Sequence, residues 1–236
     1  MIWRNAVPAI LFISICGLVY SQGSKVQRPP IVGVAQIALR TKSLDAARRF
    51  YGHDLGFAEP FVLKREGGPA ASFKVNDHQY IEVTQELKDD SEDRLIHIAF
   101  ETTSAKQMRD YLASRGVTVP ASVKPDSEGN LSFLVKDPED HEIGFVQYRS
   151  GSMHGRQFGK FIPDTRISER VIHAGFMIQD RAKADAFYKD ILGFDEMWHG
   201  GKRTPRSTGS ICVCPKETTG SSTCSTCITQ RRRREV

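Results

Sequence analysis

Short apolar runs alternate with turn residues along the chain and predict strands and helices in a repeating order. The first run, residues 31–40, has the composition of a strand. Ser43 and Gly56 are typical of the start and the end of a helix over 43–55. Apolar residues at three- and four-residue spacing predict its buried face, namely Leu44, Ala47, Phe50 and Tyr51. Three further strands, predicted over 57–63, 71–75 and 79–84, complete a βαβββ unit.

The same order of elements recurs twice. After a charged segment at 87–93, the pattern predicts a strand over 95–101 and a helix over 104–115. Strands over 117–123, 131–135 and 142–148 complete the second unit. A third unit opens near Arg170 with a strand, a helix and a further strand over 194–198, and the pattern stops after Gly201.

An internal repeat supports this division. Residues 44–57 read LDAARRFYGHDLGF, and residues 181–194 read RAKADAFYKDILGF, so both contain FYxxxLGF. A repeat of this kind indicates one supersecondary unit that has been copied. The same offset aligns Gln36 in the first unit with His173 in the third.

The N-terminal residues predict export. Residues 1–21 contain Arg4, an apolar run over 6–20 and the small residue Ser21, the order of a secretory signal peptide. The run is shorter than the ~20 residues of a membrane-spanning helix. We therefore expect a secreted or periplasmic protein with no stable membrane insertion after cleavage; the alternative is an N-terminal membrane anchor.

Charge and cysteine are concentrated outside the predicted folded region. The net charge is +5, and residues 202–236 contribute eight Lys or Arg against two Glu. The remaining residues are slightly acidic, which argues against a nucleic-acid partner. Cys16 lies in the signal peptide and four cysteines lie in the tail, so the predicted folded region contains none.

These boundaries divide the chain into six segments. They are a signal peptide (1–21), a leader (22–30), a first domain (31–150, with modules 31–86 and 94–149), a linker (151–168), the start of a second domain (169–201) and a tail (202–236).

The repeated units, their FYxxxLGF motif, the Asp-Pro turn at Asp137 and the run IGFVQY resemble the vicinal oxygen chelate superfamily. This superfamily includes glyoxalase I, extradiol ring-cleaving dioxygenases, fosfomycin-modifying enzymes and bleomycin-binding proteins. The resemblance covers residues 31–199. It implies an α+β fold in which βαβββ modules pair into a curved-sheet cup, with two complete modules and a truncated third.

In this superfamily the ligands of a divalent metal lie in the first and last strands of each module. The resemblance carries these positions to Gln36, Glu82, His97 and Gly144. Glycine cannot ligate a metal through a side chain, and Glu142 lies two residues, roughly 6.6 Å, away along the strand. Only a β-bulge would bring Glu142 into the site. The first cup is therefore expected to lack one ligand.

His173 occupies the first-strand ligand position of the third module and is the stronger candidate. In extradiol dioxygenases the C-terminal cup holds the metal and the N-terminal cup is empty. The resemblance implies the same division here, with Fe, Mn, Ni or Zn as the divalent metal. Structural interpretations compete with these assignments, because Glu82 also suits a solvated strand and His97 a hydrogen-bonded core.

The functional expectation is an exported protein derived from a metal-dependent dioxygenase- or glyoxalase-like enzyme. Its substrate would be a small molecule with adjacent oxygens. The alternative is a metal-free protein that sequesters a small molecule, like the bleomycin-resistance relatives. Completion of a cup in a homodimer is also expected.

The tail allows three interpretations. Cys212, Cys214, Cys224 and Cys227 have a loosely zinc-like spacing, and a disulfide-bonded tail is equally open. The surrounding Ser, Thr, Gly and Arg residues also suit disorder. A reading frame shifted by one base over 207–226 can encode two β-like runs around a Pro-Glu-Gly-Asn turn. We therefore predict an aberrant, disordered tail produced by a frameshift, which removed the end of the third module and a fourth.

Overall fold

The computed structural model describes residues 26–65, 68–200, 210–215 and 225–230. The predicted signal peptide and the other parts of the tail lie outside these residues. No helix in the described ranges has the length and apolar composition to cross a membrane.

The first module has the predicted βαβββ order. The Ser43 side chain accepts a hydrogen bond from the amide of Ala46 and begins the helix. Its elements are β1 (Ile31–Arg40), α1 (Leu44–Ala47), a π-helical segment (Arg48–Asp54), β2 (Ala58–Arg65), β3 (Gly68–Lys74) and β4 (Tyr80–Thr84).

The second module repeats this order, with Ser104 as the N-cap of its helix. Its elements are β5 (Leu95–Thr102), α2 (Ala105–Ser114), β6 (Lys124–Pro125), β7 (Leu131–Lys136) and β8 (Glu142–Gln147). The strand predicted over 117–123 is wrong, because only Lys124 and Pro125 pair with β7. Val117, Val119 and Val123 instead use their apolar side chains to pack against the core.

The two modules form one curled, eight-stranded sheet in the order β2-β3-β4-β1-β5-β8-β7-β6. Antiparallel pairing of β1 with β5 joins the modules. Helices α1 and α2 cover one face of the sheet, called here the helix face. The opposite, concave face is called the cup face. This arrangement confirms the predicted α+β fold of paired modules.

The third module follows a short helix, α3 (Met153–Arg156). It contains β9 (His173–Ile178), α4 (Arg181–Asp185), a second π-helical segment (Ala186–Ile191), β10 (Phe194–Gly200), β11 (Ser210–Pro215) and β12 (Ser225–Gln230). These strands form a separate sheet in the order β10-β11-β12-β9. Disorder was therefore the wrong prediction for 210–215 and 225–230, whose backbones pair with the otherwise open strands β10 and β9.

The largest hydrophobic core joins the second and third modules. Phe187 and Tyr188 of the third module are buried with Phe100, Met108 and Phe145 of the second. A smaller core lies between the first helix and its own sheet. The third module thus continues the helix-face core of the second module.

Polar contacts fix the same interface around the turn that follows β7. The Tyr188 hydroxyl donates to Asp137 Oδ2 at 2.9 Å, and His141 Nδ1 lies 2.9 Å from the same oxygen. Glu139 accepts hydrogen bonds from the amides of Gln179 and Asp180. Burial opposes ionisation of Asp137, but hydrogen bonds from His141 and the Glu139 amide outweigh it, and the pKa of Asp137 lies below its ordinary value.

The predicted buried face of the first helix is wrong at one residue, Phe50. Leu44 and Ala47 are buried as predicted, whereas Phe50 is 51% exposed. The helix changes from α to π geometry at Arg48, so the three- and four-residue spacing no longer applies beyond it. Tyr51 still packs on Phe73, with ring centroids 5.1 Å apart.

Candidate functional site

Strand register places all four predicted positions of the first cup on the cup face. Residues that pair directly across neighbouring strands point to the same side of a sheet. One row across the sheet contains Tyr80, Gln36, Ala99 and Gly144. The next row contains Glu82, Ala38, His97 and Glu142. The small residues Ala38 and Ala99 lie at the centre, where they leave room in the cup.

The second-module half of the cup contains a small cavity of about 130 Å³. Gln36, His97 and Gly144 line it, so the structure brings these three predicted positions together. Asp126 and Glu128, which the sequence analysis did not select, line it as well. Glu82 does not, although it is buried on the same face.

No metal ligand fits at position 144. A Cβ atom there would lie 2.7 Å from the Cβ of Ala99 and 3.3 Å from Leu134 Cδ2. Both the Ala99 methyl group and the backbone that holds it are fixed within the sheet, so a larger residue requires the strands to move. The β5–β8 register is continuous from His97 to Glu101, with no bulge that would bring Glu142 inward.

The first-module half of the cup is filled by the chain itself. Helix α3 places the imidazole of His154 here, with only 2% of this residue exposed. Its ring centroid lies 4.4 Å from that of Tyr80 and 5.0 Å from those of Tyr148 and Phe61. Asn130 Nδ2 donates to His154 Nδ1 at 3.0 Å. The imidazole is therefore enclosed by three aromatic rings and an amide.

A buried lysine holds the end of the same segment. Lys74 has a fully buried side chain, and its ammonium group pairs with Asp77 at 2.6 Å. The same group donates to the backbone carbonyls of Gln157 and Lys160. Asp77 also accepts a hydrogen bond from the amide of Gly159. A buried charge with this full set of partners is stable only while the segment stays in place.

Two tyrosines in the cup remain neutral. Burial raises the pKa of Tyr80, and a smaller contribution comes from the negative charge of Asp77. Burial also raises the pKa of Tyr148 well above its ordinary value. The Tyr148 hydroxyl donates to the backbone oxygen of His78. Neither hydroxyl is therefore available as a general base near neutral pH.

These contacts do not fit a complete metal centre in the first cup. Within the described ranges, no three His, Cys, Asp or Glu side chains are grouped closely enough to hold a metal ion. Gln36 and His97 share a cavity, but position 144 is closed and Glu82 does not line this cavity.

His173 lies elsewhere, at the start of β9, and its side chain is exposed. It pairs with Ser225 across parallel strands, as Gln36 pairs with Tyr80. Its place in the third module therefore matches the place of Gln36 in the first module. Gly175 and Met177 share its exposed face, whereas Ala174 and Ile178 are buried on the other.

Sequence reasoning missed His154 and Lys74. The only available signal for Lys74 was a charged residue between Phe73 and Val75 in a predicted strand. His154 had no such signal, because it lies in a segment interpreted as a linker.

Comparison with known proteins agrees with this architecture. Residues 33–145 match the family model of the Glyoxalase/Bleomycin resistance protein/Dioxygenase superfamily. No match was found among curated protein sequences.

Solved structures share the fold at low sequence identity. A mutant of homoprotocatechuate 2,3-dioxygenase from Brevibacterium fuscum is 16% identical, with a TM-score of 0.62 over 87% of this chain and 55% of that one. BphC, described as a halotolerant catechol dioxygenase, is 16% identical, with a TM-score of 0.57 over 85% of this chain and 65% of that one. A methylmalonyl-CoA epimerase is 20% identical, with a TM-score of 0.46 over 52% of this chain and 98% of that one.

This chain therefore spans less than two thirds of the length of either dioxygenase. The family match, the βαβββ order of both modules and the curled eight-stranded sheet identify residues 33–145 as a domain of the Glyoxalase/Bleomycin resistance protein/Dioxygenase superfamily.

Proposed function

We propose that this chain derives from a metal-dependent dioxygenase in which the first domain is a scaffold and the third module carries the metal. The observation behind this proposal is that the first cup has no room for its fourth ligand. His154 fills one half of it, and Ala99 leaves no room for a ligand side chain at position 144. The fold similarity to two dioxygenases over most of the chain supports the choice of enzyme class.

His173 is the residue that would hold the metal in this proposal. Its imidazole is exposed, as are Gly175 and Met177 on the same side of β9, and imidazole is a good ligand for Fe, Mn, Ni and Zn. A bound divalent ion would supply a Lewis acid for adjacent oxygens of a small-molecule substrate. The exposed face around Gly175 and Met177 leaves space for such a molecule. A second copy of the chain in a homodimer would complete this cup.

Metal binding to the purified full-length chain tests this proposal. The protein is equilibrated with Fe(II), Mn(II), Ni(II) or Zn(II), and bound metal is measured by elemental analysis. We expect His173→Ala to lower the bound metal at least tenfold. The matched variant His97→Gln, which changes the corresponding position of the second module, should retain it. Loss of metal in His97→Gln but not in His173→Ala would contradict the proposal.

A specific observation favours one other function for the first cup. The cavity lined by Gln36, His97 and Gly144 is large enough for a few non-hydrogen atoms and needs no metal. A metal-free binding protein would use such a cavity to sequester a small molecule. Absence of metal in the wild-type chain under all four conditions would favour this second function.

Export and the frameshift are further parts of the proposal. The order of residues in 1–21 supports export, and the shifted reading frame over 207–226 supports a frameshift that replaced the original end of the third module, where β11 and β12 now lie. N-terminal sequencing of protein from the culture medium tests the first. Resequencing of the gene tests the second, and an intact frame with no coding potential downstream would refute it.

A further inference from the structure

The segment that fills half of the first cup, residues 152–160, is not part of the sheet. It follows β8, the last strand of the domain, and contributes no strand to the eight-stranded sheet. No residue of 149–160 belongs to either hydrophobic core of the described structure. Its contacts with the cup are instead specific polar and aromatic contacts. The segment therefore occupies the cup without belonging to the sheet or to either hydrophobic core.

The segment enters the cup through a defined turn. The Ser152 hydroxyl accepts a hydrogen bond from the amide of Gly155 and begins α3. The amide of Met153 donates to the backbone oxygen of Glu128 at 2.8 Å. Gly155 permits a close approach, because a Cβ there would lie 2.1 Å from the carbonyl oxygen of Arg149. These contacts direct His154 towards the aromatic rings.

The surroundings of His154 form a site that recognises a flat ring. Tyr80 and Phe61 meet the imidazole edge-on, at interplanar angles of 88° and 77°, and Tyr148 lies at 34°. The Asn130 amide donates to one ring nitrogen. Edge-to-face contacts and one directed hydrogen bond favour a planar ring that carries an acceptor nitrogen.

Charge further restricts the occupant. Glu82 and Glu128 are buried residues of the cup, and Asp77 lies beside Lys74, which neighbours Tyr80 across β3 and β4. The carboxylates outnumber the single buried ammonium group. An anionic ring would be repelled, whereas a neutral heteroaromatic ring, which keeps the acceptor nitrogen for Asn130, would be accepted.

We propose that residues 152–160 are a built-in occupant of the first cup, and that the cup accepts a free imidazole-type heteroaromatic ring once His154 is withdrawn. The site consists of Tyr80, Tyr148, Phe61 and Asn130, with Lys74 holding the end of the segment. This inference does not depend on a metal at His173, and its test uses none.

Imidazole rescue of His154→Ala in the full-length chain tests the proposal. Removal of the ring leaves a cavity, which should lower the melting temperature by roughly 5–10 °C. Millimolar imidazole should reverse part of this loss in a saturable manner. Pyrrole, which lacks the acceptor nitrogen, should reverse less of it. Wild type and the control His53→Ala, whose side chain is 84% exposed, should not respond.

Three results would overturn the proposal: a wild-type melting temperature for His154→Ala, no recovery of a folded His154→Ala in imidazole, or an equal imidazole response in His53→Ala. A second variant covers the case in which His154→Ala does not fold. Lys74→Met removes the hold on the carbonyls of Gln157 and Lys160, and trypsin should then cut after Arg156 and Lys160 at least ten times faster. Unchanged cleavage, or loss of the β-sheet circular dichroism signal, would show that the segment is an integral part of the fold.

Discussion

The two copies of the FYxxxLGF repeat have the same local structure but different surroundings. Both form a π-helical segment, and both end at a glycine with positive φ, Gly56 at 75° and Gly193 at 70°. Phe50 of the first copy is 51% exposed, whereas the corresponding Phe187 is 4% exposed. Identical residues therefore have a structural role in one copy and remain at the surface in the other.

The difference arises from what packs against each helix. Tyr188 of the second copy is buried against the second module and donates a hydrogen bond to Asp137. Tyr51 of the first copy contacts Phe73 of its own sheet. The repeat thus specifies a module, and the contacts between modules decide which of its aromatic residues become core.

The largest expected contrast is between Phe187→Ala and Phe50→Ala. Truncation of a buried phenylalanine should lower the free energy of unfolding by about 3–5 kcal/mol. The same change at the exposed position should cost less than about 1 kcal/mol. Urea unfolding of the two variants measures both values. Similar losses would mean that the two copies are packed alike.

A smaller contrast is expected between Gly56→Ala and Gly193→Ala. Both glycines have positive φ, which costs about 1 kcal/mol or more for alanine. At Gly56 the new Cβ would also lie 2.9 Å from the Cα of Arg166, a backbone atom. At Gly193 it would meet the flexible guanidinium of Arg28 at 3.2 Å. Thermal unfolding should show Gly56→Ala to be the less stable, by about 1 kcal/mol. If Gly193→Ala were the less stable variant, the close approach of the Arg166 backbone to Gly56 would be contradicted.

The smallest expected effect is a dependence on pH. His141 at the interface of the second and third modules has a pKa above its ordinary 6.5, mainly because it hydrogen-bonds Asp137. His78 in the first domain has a raised pKa, mainly because of its hydrogen bond to Glu101. A raised histidine pKa stabilises the fold below pH 6.5, and this contribution is lost as the pH rises through the folded-state pKa.

Matched variants separate the contributions of the two histidines to the pH dependence of stability. We expect the free energy of unfolding of the wild type to fall as the pH rises above about 6.5. His141→Gln and His78→Gln should each remove part of this decrease. Urea titrations at a series of pH values measure the slope. An unchanged slope in His141→Gln would show that the protonated imidazole does not stabilise the module interface.

Much of the fold followed from local patterns. Ser43 and Ser104 are N-caps where the sequence indicated helix starts, and the βαβββ order holds in the first two modules. Local hydrogen bonding and apolar alternation determine these features, so they are visible in a single chain. The short β6 departs from the prediction, because Val117 and Val119 pack as apolar side chains without pairing.

The candidate site was less predictable. Strand register placed Gln36, Glu82, His97 and Gly144 on one face, as the resemblance implied. The closure of position 144 by Ala99 depends on a contact across strands, which residue types alone do not define. The metal assignments to these residues and to His173 remain predictions.

The sequence by itself determined the modules, their caps and their duplication, because these depend on residues close together in the chain. Only the tertiary structure decided that His154 fills the first cup and that Phe187 is buried while Phe50 is exposed. Both outcomes depend on contacts between residues far apart in sequence. His154 fills the cup because α3 reaches Tyr80. Phe187 is buried because the third module packs against the second module. Burial is a property of the assembled surfaces, and no local pattern encodes which surfaces will meet.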